Sequence, residues 1–168
     1  MQIEDGKKKE LEIEEIVGAT VSKEIQVIGF ELGRELVGIP IEEIIEITTD
    51  KDITPVPKSP EFVLGVMNLR GKIVPVTTVK KKLGIPEELP EDIYSRNKII
   101  ILDTEFGEVG IIVDEIVGSI KFFEDDVLPE PTGTIGIEIK HIKGVVQLED
   151  NKLLIILNTK TIFSREES

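Results

Sequence analysis

The feature that most constrains the fold of this chain is a repeat of strand-like sequence in its two halves. Short apolar or alternating stretches, separated by Gly, Pro or charged turns, begin at Gln26 and again at Lys98. A shift of 72 residues superposes identical residues: Ile28 on Ile100, Val37 on Val109, Gly38 on Gly110, Ile39 on Ile111, Glu43 on Glu115 and Ile44 on Ile116. Further on, 65–69 aligns with 144–148 and 72–74 with 152–154. These collinear blocks indicate an internal duplication with about five strands in each half.

The strand repeat predicts two small β-barrels. The chain has 168 residues, of which 40% are hydrophobic and only 4% are aromatic, so its core must consist largely of Ile, Val and Leu. Five short antiparallel strands form a closed or nearly closed barrel, which hides edge strands from other chains. We therefore predict a mainly β fold of two five-stranded barrels that share one apolar face, with short helices.

The domain boundaries follow from turn signals and composition. Residues 1–24 are charged and irregular in period, and we expect a flexible N-terminal tail there. A short helix is predicted over 77–83, where Gly84 and Pro86 stop it. The expected segments are a first barrel mainly over 25–83, a connector over 84–97, a second barrel mainly over 98–157, and a short C-terminal helix over 158–168 with Asn158 or Thr159 as its N-cap. Strand exchange between the barrels is compatible with this division.

Charge and cysteine content exclude several classes of protein. The net charge of −13 would repel a nucleic-acid backbone or an anionic membrane surface, so neither is an expected partner. The chain has no cysteine, which excludes disulfides, thiolate catalysis and cysteine-ligated metals. It has neither an apolar signal-peptide core nor a run long enough to span a membrane. Cytoplasm is the simplest expected location.

The sequence offers little for catalysis or cofactor binding. His141 is the single histidine, and we expect a structural or surface role because no second histidine or cysteine could share a metal or a nucleophile with it. No phosphate loop, dinucleotide fingerprint or G-x-S-x-G motif is found. We therefore predict a binding module with no enzyme activity, cofactor or metal. A small enzyme with an unrecognised carboxylate pair is the alternative.

One turn distinguishes the two halves. The stretch GVMNLRGKIVPV, residues 65–76, predicts a hairpin with Arg70 and Gly71 at its turn, whereas the corresponding turn of the second half is acidic, at 149–151. An arginine at a hairpin tip can simply be solvated and keep an edge strand from pairing. A specific task for Arg70 is the other interpretation.

The longer stretch SPEFVLGVMNLRGKIVPVTTVKKKLGI resembles the signature of the CheW-like domain family, with its G-V-x-N-L-R-G-x-I-x-P-V core. The resemblance covers about 25–163 and implies two five-stranded, SH3-like barrels related by a pseudo-two-fold axis. It also implies an adaptor that catalyses nothing and couples the cytoplasmic tips of chemoreceptors to the regulatory domain of the histidine kinase CheA. Because only one module is present, we expect the free coupling type, in receptor arrays at the inner face of the membrane. An SH3-like interaction module for another two-component signalling kinase is the alternative.

The resemblance also implies roles for individual residues. We expect receptor contacts at Ile44, Glu46, Ile47 and Ile116, although core packing would explain Ile44 and Ile116 equally well. Asn68 and Arg70, with Gly65 and Gly71, are expected to order the turn and support partner binding. Arg70 can hold a carboxylate such as that of Glu46 in a bidentate fork, or can reach a partner directly. The family often has aspartate where this chain has Thr78, whose hydroxyl we expect to cap the following helix.

Overall fold

The computed structural model describes residues 22–49, 51–95, 97–128 and 136–164, and these form eleven β-strands in two sheets. The first half contributes β1 (Glu24–Leu32), β2 (Glu35–Pro40), β3 (Ile44–Thr49), β4 (Val63–Leu69) and β5 (Lys72–Thr77). The second half contributes β6 (Lys98–Thr104), β7 (Gly107–Ile112), β8 (Glu115–Phe123), β9 (Val127–Leu128), β10 (Ile142–Gln147) and β11 (Leu153–Leu157). The short helices α1 (Lys80–Leu83) and α2 (Thr159–Ile162) follow β5 and β11. The prediction of a mainly β fold with short helices is confirmed.

The strand order of the two sheets shows the pseudo-two-fold relation. Sheet A has the order β8-β1-β2-β11-β10-β9 and sheet B has the order β3-β6-β7-β5-β4. The sequence repeat makes β1 to β5 the counterparts of β6, β7, β8, β10 and β11. Replacing each strand of sheet B by its counterpart gives β8-β1-β2-β11-β10, which is sheet A without β9. Each half of the chain therefore supplies strands to both sheets. The predicted boundaries allowed for such an exchange of strands between the barrels.

The pairing register repeats as well. In both pairs β3–β6 and β1–β8 the register shifts at one position, where β3 passes over Ile45 and β8 passes over Val117. These two residues are counterparts in the repeat, and their exposed fractions are 40% and 53%. Such a bulge leaves one residue of the strand without a partner in the ladder. Burial alternates without a break through both residues, so two large apolar side chains point to solvent at related places on the two sheets.

Sheet A has one strand more than predicted. The additional strand β9 pairs with β10 over two residues, Leu128 with Val145 and Val127 with Val146. At the corresponding edge of sheet B, Thr54 forms an isolated bridge with Val66. Val66 and Val145 are counterparts in the repeat. The two edges therefore differ in the length of the covering segment, which is a two-residue strand on sheet A and a single bridge on sheet B.

Three hydrophobic clusters fill the part of the chain that the structure describes. One lies inside sheet B, one lies inside sheet A, and the third contains residues of both sheets together with α1 and α2, and is called the shared core here. Strand β6 contributes Ile99 and Ile101 to the cluster of sheet B and Ile100 and Leu102 to the shared core. Alternate strand residues point to opposite faces, so a strand buried on both faces has a continuous apolar sequence.

The two helices differ in their N-caps. Asn158 caps α2 as predicted, because its Oδ1 accepts a hydrogen bond from the Thr161 N–H at 3.4 Å. The prediction that the Thr78 hydroxyl caps α1 is wrong: Val79 is the N-cap residue, and no side chain of the described residues caps that helix. Thr78 is buried, and its Oγ1 has no hydrogen-bond partner among the described residues.

The chain ends show only part of the predicted tail and C-terminal helix. Residues 1–21 and 165–168 lie outside the described residues. Ser22 Oγ accepts a hydrogen bond from the Asp125 N–H at 2.8 Å, the Lys23 carbonyl accepts one from the Glu124 N–H at 2.8 Å, and Glu24 already belongs to β1. The last residues of the predicted tail are thus held against sheet A. Within the described part of the chain, no helix is long and apolar enough to cross a membrane.

Candidate partner-binding site around Arg70

The turn between β4 and β5 has the geometry of a tight hairpin. Arg70 and Gly71 are its two central residues, with φ values of 53° and 84°, and Leu69 pairs with Lys72 on either side. Positive φ at both positions is typical of the two-residue turns that match strand twist. Asn68 Oδ1 accepts a hydrogen bond from the Gly71 N–H at 2.9 Å. The predicted hairpin and the turn-ordering contact of Asn68 are thus both present.

Arg70 connects the two edges of sheet B. Its Nη2 lies 3.0 Å from Glu46 Oε1, and Glu46 is on β3, at the opposite end of the strand order from β4. Sheet B must therefore curl until its edges meet at this ion pair. The Arg70 side chain is 78% exposed and that of Glu46 is 24% exposed.

The ion pair differs from the expected bidentate fork. One guanidinium nitrogen approaches one carboxylate oxygen, and no N–H of the described residues is aligned well enough with the buried Oε1 to form a hydrogen bond. Two parallel hydrogen bonds would hold the guanidinium plane more firmly. Glu46 therefore places the arginine beside β3 through charge, and leaves most of the guanidinium donors toward solvent.

The other residues expected to contact a receptor lie in two places. Ile44 and Ile47 are on β3 with Glu46, whereas Ile116 is on β8 of sheet A. Ile47 is 38% exposed, and Ile44 and Ile116 are half-buried and pack against the shared core. The structure thus brings Glu46 and Arg70 into contact and gives Ile44 and Ile116 a packing role at equivalent positions.

Exposed apolar residues beside these positions were missed by the sequence reasoning. Ile45 lies between Ile44 and Glu46, Val117 follows Ile116, and Ile73 of β5 is 66% exposed next to the turn. The repeat places Ile45 on Val117, but only the strand pairing shows that both are bulge residues. Burial alternates along both strands, with Ile44 and Ile116 half-buried and the residue after each of them exposed.

Gly65 has a backbone role in β4. A Cβ atom added there would lie 2.2 Å from the carbonyl oxygen of Thr54. The Thr54 segment approaches so closely because Thr54 and Val66 exchange backbone hydrogen bonds of 2.8 and 2.9 Å. Glycine is therefore required by the close approach of two backbones and not by a turn.

A second polar cluster lies at the start of α1. Lys80 is buried, and its Nζ contacts both carboxylate oxygens of Asp114 at 2.7 Å. Asp114 Oδ2 also accepts a hydrogen bond from the Gly33 N–H at 2.6 Å, so this carboxylate joins α1, the β7–β8 junction and the β1–β2 turn. Nearby, burial raises the pKa of Glu87 above its ordinary value of 4.5, although Lys80 and Lys81 oppose the shift.

Comparison with known proteins decides the family. The family model for the CheW-like domain matches residues 26–167. The chain belongs to the CheW-like domain family. Among curated relatives of this CheW-like chain, the chemotaxis protein CheW of Thermotoga maritima is 36% identical over 145 residues, which are 86% of this chain and 91% of the relative. The chemotaxis protein CheW of Treponema pallidum is 34% identical over 151 residues, 89% and 88% of the two chains.

A solved structure supports the same assignment. The crystal structure of the scaffolding protein TtCheW from Thermoanaerobacter tengcongensis has a TM-score of 0.74 and 32% identity to this CheW-like chain, and the match covers 87% of this chain and 97% of that one. In this chain the family motif G-V-x-N-L-R-G occupies β4 and the turn after it. The residues that carry the resemblance are therefore those that form the Arg70 turn and the Gly65 backbone contact.

Proposed function

We propose that this CheW-like protein is a chemotaxis scaffold that couples the cytoplasmic tips of chemoreceptors to the regulatory domain of the histidine kinase CheA. It works as an adaptor and not as an enzyme, on the cytoplasmic side of the membrane within receptor arrays. The names of its relatives, which are chemotaxis proteins and a scaffolding protein, support this function. The observation that carries the proposal is the Arg70–Glu46 ion pair at a turn whose sequence is the family motif.

Arg70 has the geometry of a residue held for a partner. A guanidinium has five N–H donors, and the contact with Glu46 uses one nitrogen, so the exposed remainder can donate to a carboxylate or a carbonyl of another protein. The left-handed backbone of the turn is costly for a residue other than glycine, by roughly 1–2 kcal/mol. Asparagine would fit the turn better than arginine, so the side chain and not the backbone accounts for arginine here.

The remaining residues have supporting roles in the proposal. Glu46 positions Arg70, Asn68 and Gly71 order the turn, and Gly65 keeps β4 against the Thr54 segment. Ile47 offers an exposed apolar side chain next to Glu46, as expected of a receptor contact. For Ile44 and Ile116 we propose that the half-exposed part of each side chain forms apolar contact while the rest packs on the shared core.

A reconstituted kinase assay tests the proposal. Receptor fragments, CheA and the wild-type protein are combined, and autophosphorylation is measured together with calorimetric binding to the CheA regulatory domain. Wild type should bind saturably and make the kinase respond to the receptor. Arg70→Ala should lose that response, while its circular dichroism and thermal unfolding stay close to those of wild type, because exposed ion pairs contribute little to stability.

A charge exchange separates the two roles of Arg70. In the double variant Arg70→Glu with Glu46→Arg the intramolecular pair can re-form, but the cation is no longer at the turn. We expect this variant to remain uncoupled. Full coupling by the double variant would show that the ion pair only orders the barrel. If the wild-type protein does not bind the CheA regulatory domain saturably, the scaffold function itself is overturned.

A further inference from the structure

An open apolar groove lies on sheet B, lined by residues other than those of the Arg70 site. It has a volume of about 680 Å³, and its lining includes Phe62, Val63, Pro75, Phe106, Val109 and Phe163. Three of the six phenylalanines of the chain meet there, and Phe106 is 46% exposed. Aromatic side chains are enriched where proteins bind each other.

The pseudo-two-fold relation identifies the corresponding surface on sheet A. The repeat carries Val63, Pro75, Val109 and Phe163 onto Ile142, Ile155, Val37 and Leu83. All four counterparts belong to the shared core or pack against it. Among the described residues, the same surface is thus open on sheet B and covered on sheet A.

Two isoleucines from segments outside the strands and α-helices provide the cover on sheet A. Ile85, just after α1, and Ile137 are 7% and 4% exposed and belong to the shared core. Ile85 lies against the β1–β2 turn, since its Cγ2 would be 2.9 Å from a Cβ on Gly33. The next residue after Ile137 anchors its segment, because the Glu138 N–H donates to the Leu83 carbonyl at 3.0 Å.

Sheet B has no aliphatic residue at the positions that correspond to this cover. The shift of 79 residues that relates β4 to β10 brings Ile137 onto Lys58, which is exposed. The counterpart of Ile85 is Arg165, which lies outside the described residues. The carbonyl that corresponds to Leu83 is that of Phe163, at the end of α2 and in the groove lining.

We propose that this groove binds an extended aliphatic segment of a partner protein, in the manner in which the Ile137 segment covers the corresponding surface of sheet A. One isoleucine, leucine or valine side chain enters between Phe62, Phe106 and Phe163. The next backbone N–H of the segment donates to the Phe163 carbonyl, as Glu138 does to Leu83. The mode is that of an extended peptide held by one main-chain contact and one apolar pocket.

The chain itself supplies the peptide for the test. The capped pentapeptide Gly-Ile-Glu-Ile-Lys, copied from 136–140, is titrated into the ¹⁵N-labelled full chain and followed by NMR. We expect saturable shifts at the amides of Phe106, Val109 and Phe163, with a dissociation constant on the order of 1 mM for so short a ligand. A peptide with aspartate in place of its first isoleucine should bind at least about tenfold more weakly.

Protein variants locate the binding. Phe106→Asp changes an exposed turn residue and should weaken binding of the Gly-Ile-Glu-Ile-Lys peptide by about tenfold or more. Phe123→Asp is the matched control, because Phe123 is 50% exposed at the end of β8, and it should bind as wild type does. If Phe106→Asp loses its dispersed spectrum, Phe163→Ala takes its place.

Three results would overturn the proposal: no saturable shifts, shifts outside the groove, or equal binding by wild type and the groove variant. A fourth such result would come from sedimentation of the protein alone. A dimer that Phe106→Asp abolishes would show that a second copy of this chain occupies the groove. The peptide experiment requires neither receptor nor kinase. Its failure is therefore distinguishable from failure of the scaffold function.

Discussion

Two adjacent threonines show how a hydrogen-bond partner decides what a buried side chain contributes. Thr77 Oγ1 donates to the Gly110 carbonyl at 3.0 Å, across the parallel pair β5–β7. Thr78 is equally buried, but its Oγ1 has no hydrogen-bond partner within the described ranges. A hydroxyl buried without a partner costs roughly 1–3 kcal/mol, whereas a satisfied one contributes about 1 kcal/mol.

The same substitution should therefore have opposite effects at the two positions. Thr78→Val should raise the free energy of unfolding by about 1 kcal/mol, because it removes an unsatisfied hydroxyl with little change in shape. Thr77→Val should lower it by about 1 kcal/mol, because the Gly110 carbonyl loses a donor. Urea denaturation of both variants measures the difference. Equal shifts of the two midpoints would contradict this account of Thr78.

Glu87 makes the stability of the folded protein depend on pH. Burial raises the pKa of its carboxyl in the folded protein, and Oε1 has no hydrogen-bond partner among the residues that the structure describes. The folded carboxyl holds its proton more tightly than the unfolded one. Its stabilising contribution is therefore present below pH 4.5 and is lost as the pH rises through the folded pKa.

Glu87→Gln should remove the loss of stability that the Glu87 carboxyl causes as the pH rises. We expect the variant to be more stable than wild type at pH 7, with a difference that shrinks as the pH falls toward 4.5. Thermal unfolding across that range measures it, and Glu88→Gln is the control because Glu88 is exposed. A variant less stable than wild type at pH 7 would show that the charged carboxylate has a stabilising partner.

At the scale of strands, two equivalent glycines lie at the edges of the two sheets, and a different kind of atom packs against each of them. Gly65 of β4 faces the backbone of Thr54, while its counterpart Gly144 of β10 faces a side chain, with Val127 Cγ1 2.3 Å from an added Cβ. A side chain can change rotamer, whereas a paired backbone segment cannot move without losing its hydrogen bonds. Identical residues at equivalent positions thus have unequal tolerance to substitution.

Alanine at the two glycines should show this inequality. Gly65→Ala should destabilise the protein by about 1–3 kcal/mol, because the clash is with the Thr54 carbonyl oxygen. Gly144→Ala should cost less, since Val127 can rotate away. Guanidinium denaturation of both variants is the measurement. A larger cost at Gly144 would mean that β9 is held more rigidly than the Thr54 bridge.

At the scale of the whole molecule, the two sheets cannot be separated by cutting the connector. Strands β1 and β2 of the first half pair with β8 and β11, and β3 and β5 pair with β6 and β7. Within the described residues of the first half, the hairpins β1–β2 and β4–β5 would remain paired, together with the isolated bridge between Thr54 and Val66. Isolated two-stranded hairpins are marginally stable at best in water.

Neither half should therefore fold alone. Fragments 22–83 and 84–164 should each give a disordered circular dichroism spectrum, and an equimolar mixture should recover β-structure. Spectra of the fragments alone and mixed, followed by thermal unfolding, provide the measurement. Cooperative unfolding of the first fragment alone would mean that its strands re-pair into a barrel of their own.

The sequence by itself determined the β content, the duplication and the hairpin at Arg70 and Gly71. These features rest on local signals, namely strand periodicity, glycine at a left-handed position and identical residues at a constant shift. Such signals do not depend on how distant segments pack. The order of strands in each sheet, the contact of Arg70 with Glu46 and the bulges at Ile45 and Val117 were decided only by the tertiary structure. These features depend on which distant segments pack together, and alternation along one strand is compatible with several partners. The missing cap at Thr78 has the same origin, because β5 extends to Thr77 and α1 begins only at Lys80.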